Sequence, residues 1–261
     1  MALAALLLAV ARPASAQIGD VDEGSDFGAR ISATVDKKIV KGLHLNLGGE
    51  VRLEDNFGTL GRYQGELGVT WKPFKAVKLG AGYVIMENRS DAGNWKLRHR
   101  IYTDASVTFG SPLWRFQIKE RLQLTHKDVN AYKHQTTPNS LALKSRFKVS
   151  YRGFTGVTPY GYVEARNVFN DPSCTAVWST ASEVFTDYQF TGYDHAYFNR
   201  LRGCLGAELD LDKHNSLDFY LLTDWCKDKE IDTYSDGTRL RSLTWEHAFN
   251  GAICVGYKFS F

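Results

Sequence analysis

Three pairs of a histidine and a carboxylate are the residues of this chain with the clearest potential for catalysis. They are Asp194 with His195, Glu246 with His247, and His126 with Asp128. Beside a serine or another nucleophile, such a pair can hydrolyse an ester or a peptide or transfer an acyl group. Adjacency in sequence is weak support, because a catalytic triad is defined by its geometry in space. The chain has no G-x-S-x-G, H-E-x-x-H or phosphate-loop motif, so we expect surface histidines and a protein without enzymatic activity.

The four cysteines do not suggest a metal or cofactor site. Cys174, Cys204, Cys226 and Cys254 match no zinc-binding spacing, and no cofactor motif accompanies them. An oxidising compartment would permit disulfides, and Cys204 and Cys226 share a predicted hairpin and a face. Because a disulfide requires strict geometry, we expect free, buried thiols instead.

A row of basic side chains occupies alternate positions on two neighbouring predicted strands. We call the following seven residues the basic wall: Arg115, Lys119, Arg121, Lys144, Arg146, Lys148 and Arg152. Rings of Arg and Lys in a pore favour anions, which gives one interpretation, a narrow pore that passes or holds a small anionic solute. The other interpretation is structural, because unpaired buried charges are costly and charges of both signs on adjacent strands would pair into ladders that fill the interior.

The elements that carry these residues are predicted to be strands, because apolar and polar residues alternate with period two almost throughout. The alternating segments are 27–35, 43–53, 63–71, 77–85, 97–109, 114–124, 141–151, 157–169, 201–209, 217–225 and 251–261. Segments of about eleven residues match a tilted crossing of a bilayer, whereas strands of soluble proteins average about five or six. We therefore predict an all-β fold, an antiparallel transmembrane β-barrel of about ten to twelve strands.

The connections alternate between short turns and three long segments, Lys127–Ser140, Asn170–His195 and Lys227–Thr238. In bacterial barrels the short turns face the periplasm and the long loops face outwards. Eleven strands would make the first and last strands parallel, whereas bacterial single-chain barrels usually have even numbers. Two interpretations stay open: a twelfth strand hidden in the 170–195 segment or before Asp26, or a segment Gln17–Ser25 that passes through the lumen.

The outward faces carry aromatic residues that we expect near strand ends, at the level of the lipid headgroups. They are Trp71, Tyr83, Trp114, Tyr151, Trp225 and Tyr257. Glu120 breaks the apolar face between Ile118 and Leu122, which predicts a bulge that turns it inwards. A soluble lipocalin-like binder would need a polar exterior, and this pattern does not provide one.

The two ends of the chain indicate the compartment. Residues 1–16 resemble a signal peptide, with an apolar run closed by Ala14-Ser15-Ala16, and residues 17–261 form one predicted domain. Tyr257, Phe259 and Phe261 lie on one face of the last strand, as in the assembly signals of outer-membrane barrels. The predicted location is the bacterial outer membrane, with the lipid bilayer, lipopolysaccharide and the insertion machinery as partners. A net charge of +3 does not indicate nucleic-acid binding.

Four segments carry a resemblance to a known family. They are Asp26–Ile39, Leu79–Ile85, Leu97–Asp104 (LRHRIYTD) and Gly256–Phe261 (GYKFSF). They resemble the DUF2490 family of small outer-membrane barrels, over essentially the whole of 17–261. The resemblance implies a secreted, membrane-embedded barrel and assigns no activity or functional residue. The expected function is a non-enzymatic structural protein or narrow pore, and the alternative is an enzyme that acts on lipid or peptide at the extracellular rim.

Overall fold

The computed structural model describes residues 20–90, 92–127, 135–182, 184–235 and 237–261. These residues form one closed barrel in which each strand is hydrogen-bonded to its neighbours in chain order. The strands are β1 (Asp20–Val40), β2 (Leu43–Glu54), β3 (Thr59–Trp71), β4 (Val77–Arg89), β5 (Trp95–Gly110), β6 (Trp114–Lys127), β7 (Asn139–Tyr151), β8 (Val157–Ser179), β9 (Val184–Asp210), β10 (Asn215–Thr233) and β11 (Leu240–Ser260). The predicted all-β barrel is confirmed. Within the described ranges, no helix is long and apolar enough to cross a membrane.

The barrel closes between β1 and β11, which run parallel, while every other pair of neighbours is antiparallel. The eleven-strand reading is therefore correct, and the described part of the chain contains no twelfth strand. The interpretation in which Gln17–Ser25 passes through the lumen is wrong for residues 20–25, because they belong to β1 and run beside β11. Residues 17–19 and the predicted signal peptide lie outside the described residues.

The segment 170–195, predicted as a long connection, is instead mostly strand. It extends β8 to Ser179 and begins β9 at Val184. The pairing register shifts repeatedly there, first between Arg166 and Asn167. Each shift exchanges the inward and outward positions, so the period-two pattern is interrupted and the extension is hidden in the sequence.

The two ends of the barrel differ in their connections. We call the end with the short turns 41–42, 72–76, 111–113, 152–156 and 211–214 the turn end, and the opposite end the loop end. The C-terminus lies at the turn end, where the Lys38 amide donates to the carbonyl of Phe261 at 2.8 Å. At the loop end the extended hairpins pack on each other through Phe185, Ile231 and Leu240.

The outside of the barrel is apolar along its middle. Leu205, Leu47 and Ile31 are 72%, 59% and 57% exposed, and they belong to a continuous belt of exposed large hydrophobic residues. Aromatic residues border this belt at the turn end (Trp71, Trp114, Tyr151, Tyr257) and toward the loop end (Phe27, Tyr63, Trp95). So large an apolar surface is far beyond what a soluble monomer exposes, and it matches the surface of a membrane barrel.

Three predictions for this outer surface are wrong. Trp225, predicted near a strand end, lies in the middle of β10. Tyr83 lies in the middle of β4 rather than near its end, and its hydroxyl bonds the ring of His99 at 2.5 Å. Glu120 does not turn inwards on a bulge, because the β6 register runs through it without a shift. Instead, its carboxylate stays on the outer face and accepts a hydrogen bond from Ser145 Oγ at 2.6 Å, which supplies the partner that an inward turn was expected to provide.

Candidate functional site

The inward faces of the strands fill the part of the lumen nearer the turn end. Tyr102 of β5 crosses over Gly82 of β4, and its hydroxyl donates to the carboxylate of Glu66 on β3. On its other side, the guanidinium of Arg121 stacks over the ring at 3.8 Å. Glycine is needed at position 82, because any Cβ there would collide with the phenol.

A second arrangement of the same kind lies further round the wall. Tyr160 of β8 crosses over Gly206 of β9, and its hydroxyl bonds both carboxylate oxygens of Asp218 on β10 at 2.8 and 2.9 Å. Lys148 of β7 lies 3.5 Å from the centre of the ring. A cation, a tyrosine, a glycine and a carboxylate therefore follow one another over four adjacent strands in both places.

Ion pairs occupy the middle of the lumen. Asp104 accepts from Lys119 at 2.9 Å and from Arg121 at 2.7 Å. Arg202 donates two hydrogen bonds to Asp224, at 2.6 and 2.7 Å. Two parallel bonds between a guanidinium and a carboxylate are among the strongest side-chain interactions, so these carboxylates are already engaged.

The register places the predicted basic wall on neighbouring strands, with Lys119 opposite Arg146 and Arg121 opposite Lys144. Most of it is not available to a solute, however. Lys119 and Arg121 bind Asp104, Arg146 binds Glu164 at 2.5 Å, and Lys148 covers Tyr160. Arg115 and Arg152 lie exposed at the turn end. Lys144 is the member of the wall that lines the larger lumenal cavity.

That cavity, which we call the chamber, occupies the lumen toward the loop end and has a volume of about 650 Å³. Ten cationic side chains line it, against the six carboxylates Glu23, Asp26, Glu54, Asp171, Asp224 and Asp228. The cations are Arg30, Arg52, Arg62, Arg98, Arg100, Lys127, Lys144, Arg166, Arg200 and Arg202. A second cavity of about 260 Å³ adjoins it toward the turn end and shares Arg52, Arg100, Lys144 and Arg202 with it.

Six of these cations have no carboxylate within ion-pair distance among the described residues, and one of the six, Lys127, donates to Thr136 Oγ1 at 3.0 Å. We call the other five the basic cluster: Arg62, Arg98, Arg100, Lys144 and Arg166. The Nε atoms of Arg62, Arg98 and Arg166 are buried and have no hydrogen-bond partner in the described structure. Arg100 donates its Nε to Thr125 Oγ1 at 3.0 Å. Buried donors without an acceptor are uncommon in folded proteins, and an anion in the chamber would satisfy them.

The basic cluster is not apparent from sequence spacing, because its members come from four strands. Arg62 lies on β3, Arg98 and Arg100 on β5, Lys144 on β7 and Arg166 on β8. Only closure of the barrel brings them to one cavity. The available signal was that each occupies an inward position of its strand.

The three histidine–carboxylate pairs do not assemble into a catalytic arrangement in the described part of the chain. The ring of His195 packs against Tyr197 and Trp245, with centroids 5.3 and 6.0 Å away. His247 lies 3.4 Å from Asp20, and His126 bonds the side chain of Asn139 at 2.8 Å. Asp128, the proposed partner of His126, lies outside the described residues.

All four cysteines are free thiols, as expected, and Cys204, Cys226 and Cys254 are buried. Cys204 and Cys226 do not face each other directly, since Cys204 is opposite Leu222 and Cys226 is opposite Arg200.

Comparison with known proteins identifies the family. The sequence profile described as "Protein of unknown function (DUF2490)" matches residues 27–235. The chain belongs to this family. The matched region begins in β1 and ends just beyond β10, so it includes every residue of the basic cluster.

More distant comparisons add little. A solved structure titled "Copper transporter OprC" is similar over 72% of this chain and 34% of its own, with 13% sequence identity and a TM-score of 0.26. The chain thus spans about one third of that transporter, and the overlap is too loose to carry an argument. No curated protein matches the sequence.

Proposed function

We propose that this DUF2490 protein is a non-enzymatic barrel of the bacterial outer membrane that attracts and holds small anions in the chamber. The observation that carries the proposal is the basic cluster, five cations without carboxylate partners on the wall of one cavity. Rings of Arg and Lys with few acids select anions in membrane pores.

The membrane location is supported by the surface of the barrel. An exposed apolar belt between two aromatic borders fits a bilayer, and short turns at one end with longer connections at the other fit a periplasmic and an extracellular side. In this orientation the chamber faces the extracellular medium. The surrounding partners are then lipid and lipopolysaccharide, and the insertion machinery assembles the barrel.

Holding an anion fits the lumen better than passing one through it. Below the chamber, Tyr102, Tyr160 and the ion pairs of Asp104 and Glu164 narrow the lumen toward the turn end and leave the smaller cavity of about 260 Å³. Planar-bilayer recordings separate the two modes. A barrel that only holds anions carries no steady current, whereas a narrow pore carries an anion-selective one.

Thermal unfolding of the refolded barrel in detergent tests the proposal. A ligand that binds only the folded state raises the melting temperature, so sulfate at constant ionic strength should stabilise the protein more than chloride. Arg166→Gln should remove this difference. Lys78→Gln is the matched control, because Lys78 is an inward cation near the turn end that does not line the chamber. Equal melting temperatures in sulfate and chloride for the wild type would refute the proposal.

A further inference from the structure

We infer that the chamber takes one compact, soluble oxyanion of high charge, of the pyrophosphate class, which the basic cluster binds. This inference rests on the proposed function and adds the class of ligand. Arg, Lys and phosphate oxygens form charge-assisted hydrogen bonds, and the planar fork of Arg matches phosphate geometry in particular.

The charge of the chamber sets the charge of the ligand. Ten cations face six carboxylates, and Glu50, just outside the lining, neutralises Arg52, which leaves an excess of three positive charges. A chloride or an acetate would leave most of this excess uncompensated among cations that share one cavity, where like charges repel. Pyrophosphate carries three to four negative charges near neutral pH and balances the excess in one molecule.

The cluster surrounds its ligand from several sides. Arg100 of β5 and Arg166 of β8 line the same cavity from strands that are not neighbours, and Lys144 of β7 lies opposite Arg166 in the register. The cluster therefore reaches the cavity from separate parts of the wall. A small ligand between them can bind several donors together, and 650 Å³ lies within the usual size of small-molecule sites.

Three carboxylates near the chamber are paired with cations outside the basic cluster, so they do not neutralise the cluster. Asp224 is bound by both guanidinium bonds of Arg202, Glu50 binds Arg52 at 2.5 Å, and Glu164 binds Arg146. The lining of the chamber is mainly polar and charged, so it does not provide a place for the acyl chains of a phospholipid or lipopolysaccharide. The ligand is therefore a soluble phosphate compound rather than a lipid headgroup.

Isothermal titration calorimetry of the folded barrel in detergent tests this inference. The ligands are sodium pyrophosphate, orthophosphate, acetate and short-chain lipid A phosphate, each at the same ionic strength. We expect one pyrophosphate per barrel, bound about tenfold or more tightly than orthophosphate and far more tightly than acetate, because charge-assisted bonds add up in a shared site. Tighter binding of the lipid phosphate would contradict the soluble class.

Variants locate the site. Arg166→Gln and Arg100→Gln should each weaken pyrophosphate binding by about tenfold or more, while Lys78→Gln should leave it nearly unchanged. Arg166→Lys keeps the charge and should recover part of the affinity, and the difference in gel mobility between heated and unheated samples shows that each variant is folded. Equal weakening by Arg166→Gln and Lys78→Gln would overturn the inference. Acetate binding as tightly as pyrophosphate would overturn the ligand class while the proposed function stands, and no binding of any anion would remove both.

Discussion

Tyr102 shows how a single large side chain can lie along the inner wall of the barrel and fill part of the lumen. Its ring lies flat over Gly82 and reaches Glu66 two strands away, while Arg121 covers its other face. The phenol donates to Glu66, while the guanidinium over its ring is bound to Asp104, so each charge has a partner within the interior. Gly206 allows the same arrangement for Tyr160 and Asp218.

The first prediction concerns Gly82. Gly82→Ala should lower the free energy of unfolding by about 1–3 kcal/mol, because the added methyl group forces Tyr102 away from Glu66. Gly49→Ala is the control, since the nearest atom to a Cβ there is Gln64 O at 3.7 Å. Urea unfolding followed by tryptophan fluorescence in micelles measures both. Equal stability of Gly82→Ala and the wild type would show that the position of Tyr102 does not depend on a glycine at position 82.

A second residue-level prediction concerns pH and the turn 211–214. The backbone amide of His214 and both the amide and the side chain of Asn215 donate to Asp212 and lower the pKa of its carboxyl group. A carboxyl whose pKa is lowered by folding stabilises the folded state above its unfolded pKa, about 3.9, and this stabilisation is lost as the pH falls through the lower folded value.

Asp212→Ala should therefore reduce stability at pH 7, and the difference from the wild type should shrink as the pH falls below about 4. Melting temperatures of both proteins between pH 2.5 and 7 provide the measurement. A difference that stays constant over this range would mean that the charge of Asp212 does not stabilise the turn.

At the level of elements, the closing pair of strands is the unusual feature. β1 and β11 run parallel. Both backbone groups of Phe261 bond β1, since its amide donates to Asp36 O at 3.0 Å and its carbonyl accepts from the Lys38 amide. The ring of Phe261 remains half exposed beside Phe259 and under the ammonium group of Lys37. The last strand therefore presents an aromatic face at the seam of the barrel.

Phe261→Asp should lower the amount of folded barrel in the outer membrane severalfold, because it places a charge where the predicted assembly signal is aromatic. Phe154→Asp is the matched control, an exposed aromatic residue of a turn at the same end. Immunoblots of unheated membrane samples measure the folded fraction. Equal loss in both variants would point to a general effect of charge at the turn end rather than to a terminal signal.

The strands were predictable wherever alternation ran without interruption. Segments 43–53 and 114–124 fall inside β2 and β6, because an unbroken period of two fixes both the strand and its inward face. The extensions of β8 and β9 were not predictable, since register shifts exchange the two faces. Glu120 was misplaced because its partner, Ser145, lies on the neighbouring strand and only the pairing register brings them together.

At the level of the whole molecule, charge is distributed unevenly along the lumen. The sequence identified inward bases but could not show which of them are neutralised. Asp104 and Glu164 bind three members of the basic wall, and five inward cations without a carboxylate partner line the chamber. Pairing depends on distances across strands that are far apart in sequence, so the site became visible only with the closed barrel.

We propose that this chain spans the outer membrane as a folded barrel. The most direct test is to express the full chain in a Gram-negative bacterium, separate periplasm from outer membrane, and compare heated with unheated samples by electrophoresis. We expect the mature protein in the outer-membrane fraction, with faster migration before heating than after it, because a folded barrel resists detergent until it is boiled. A soluble periplasmic monomer with the same mobility in both samples would show that the chain is not a membrane barrel.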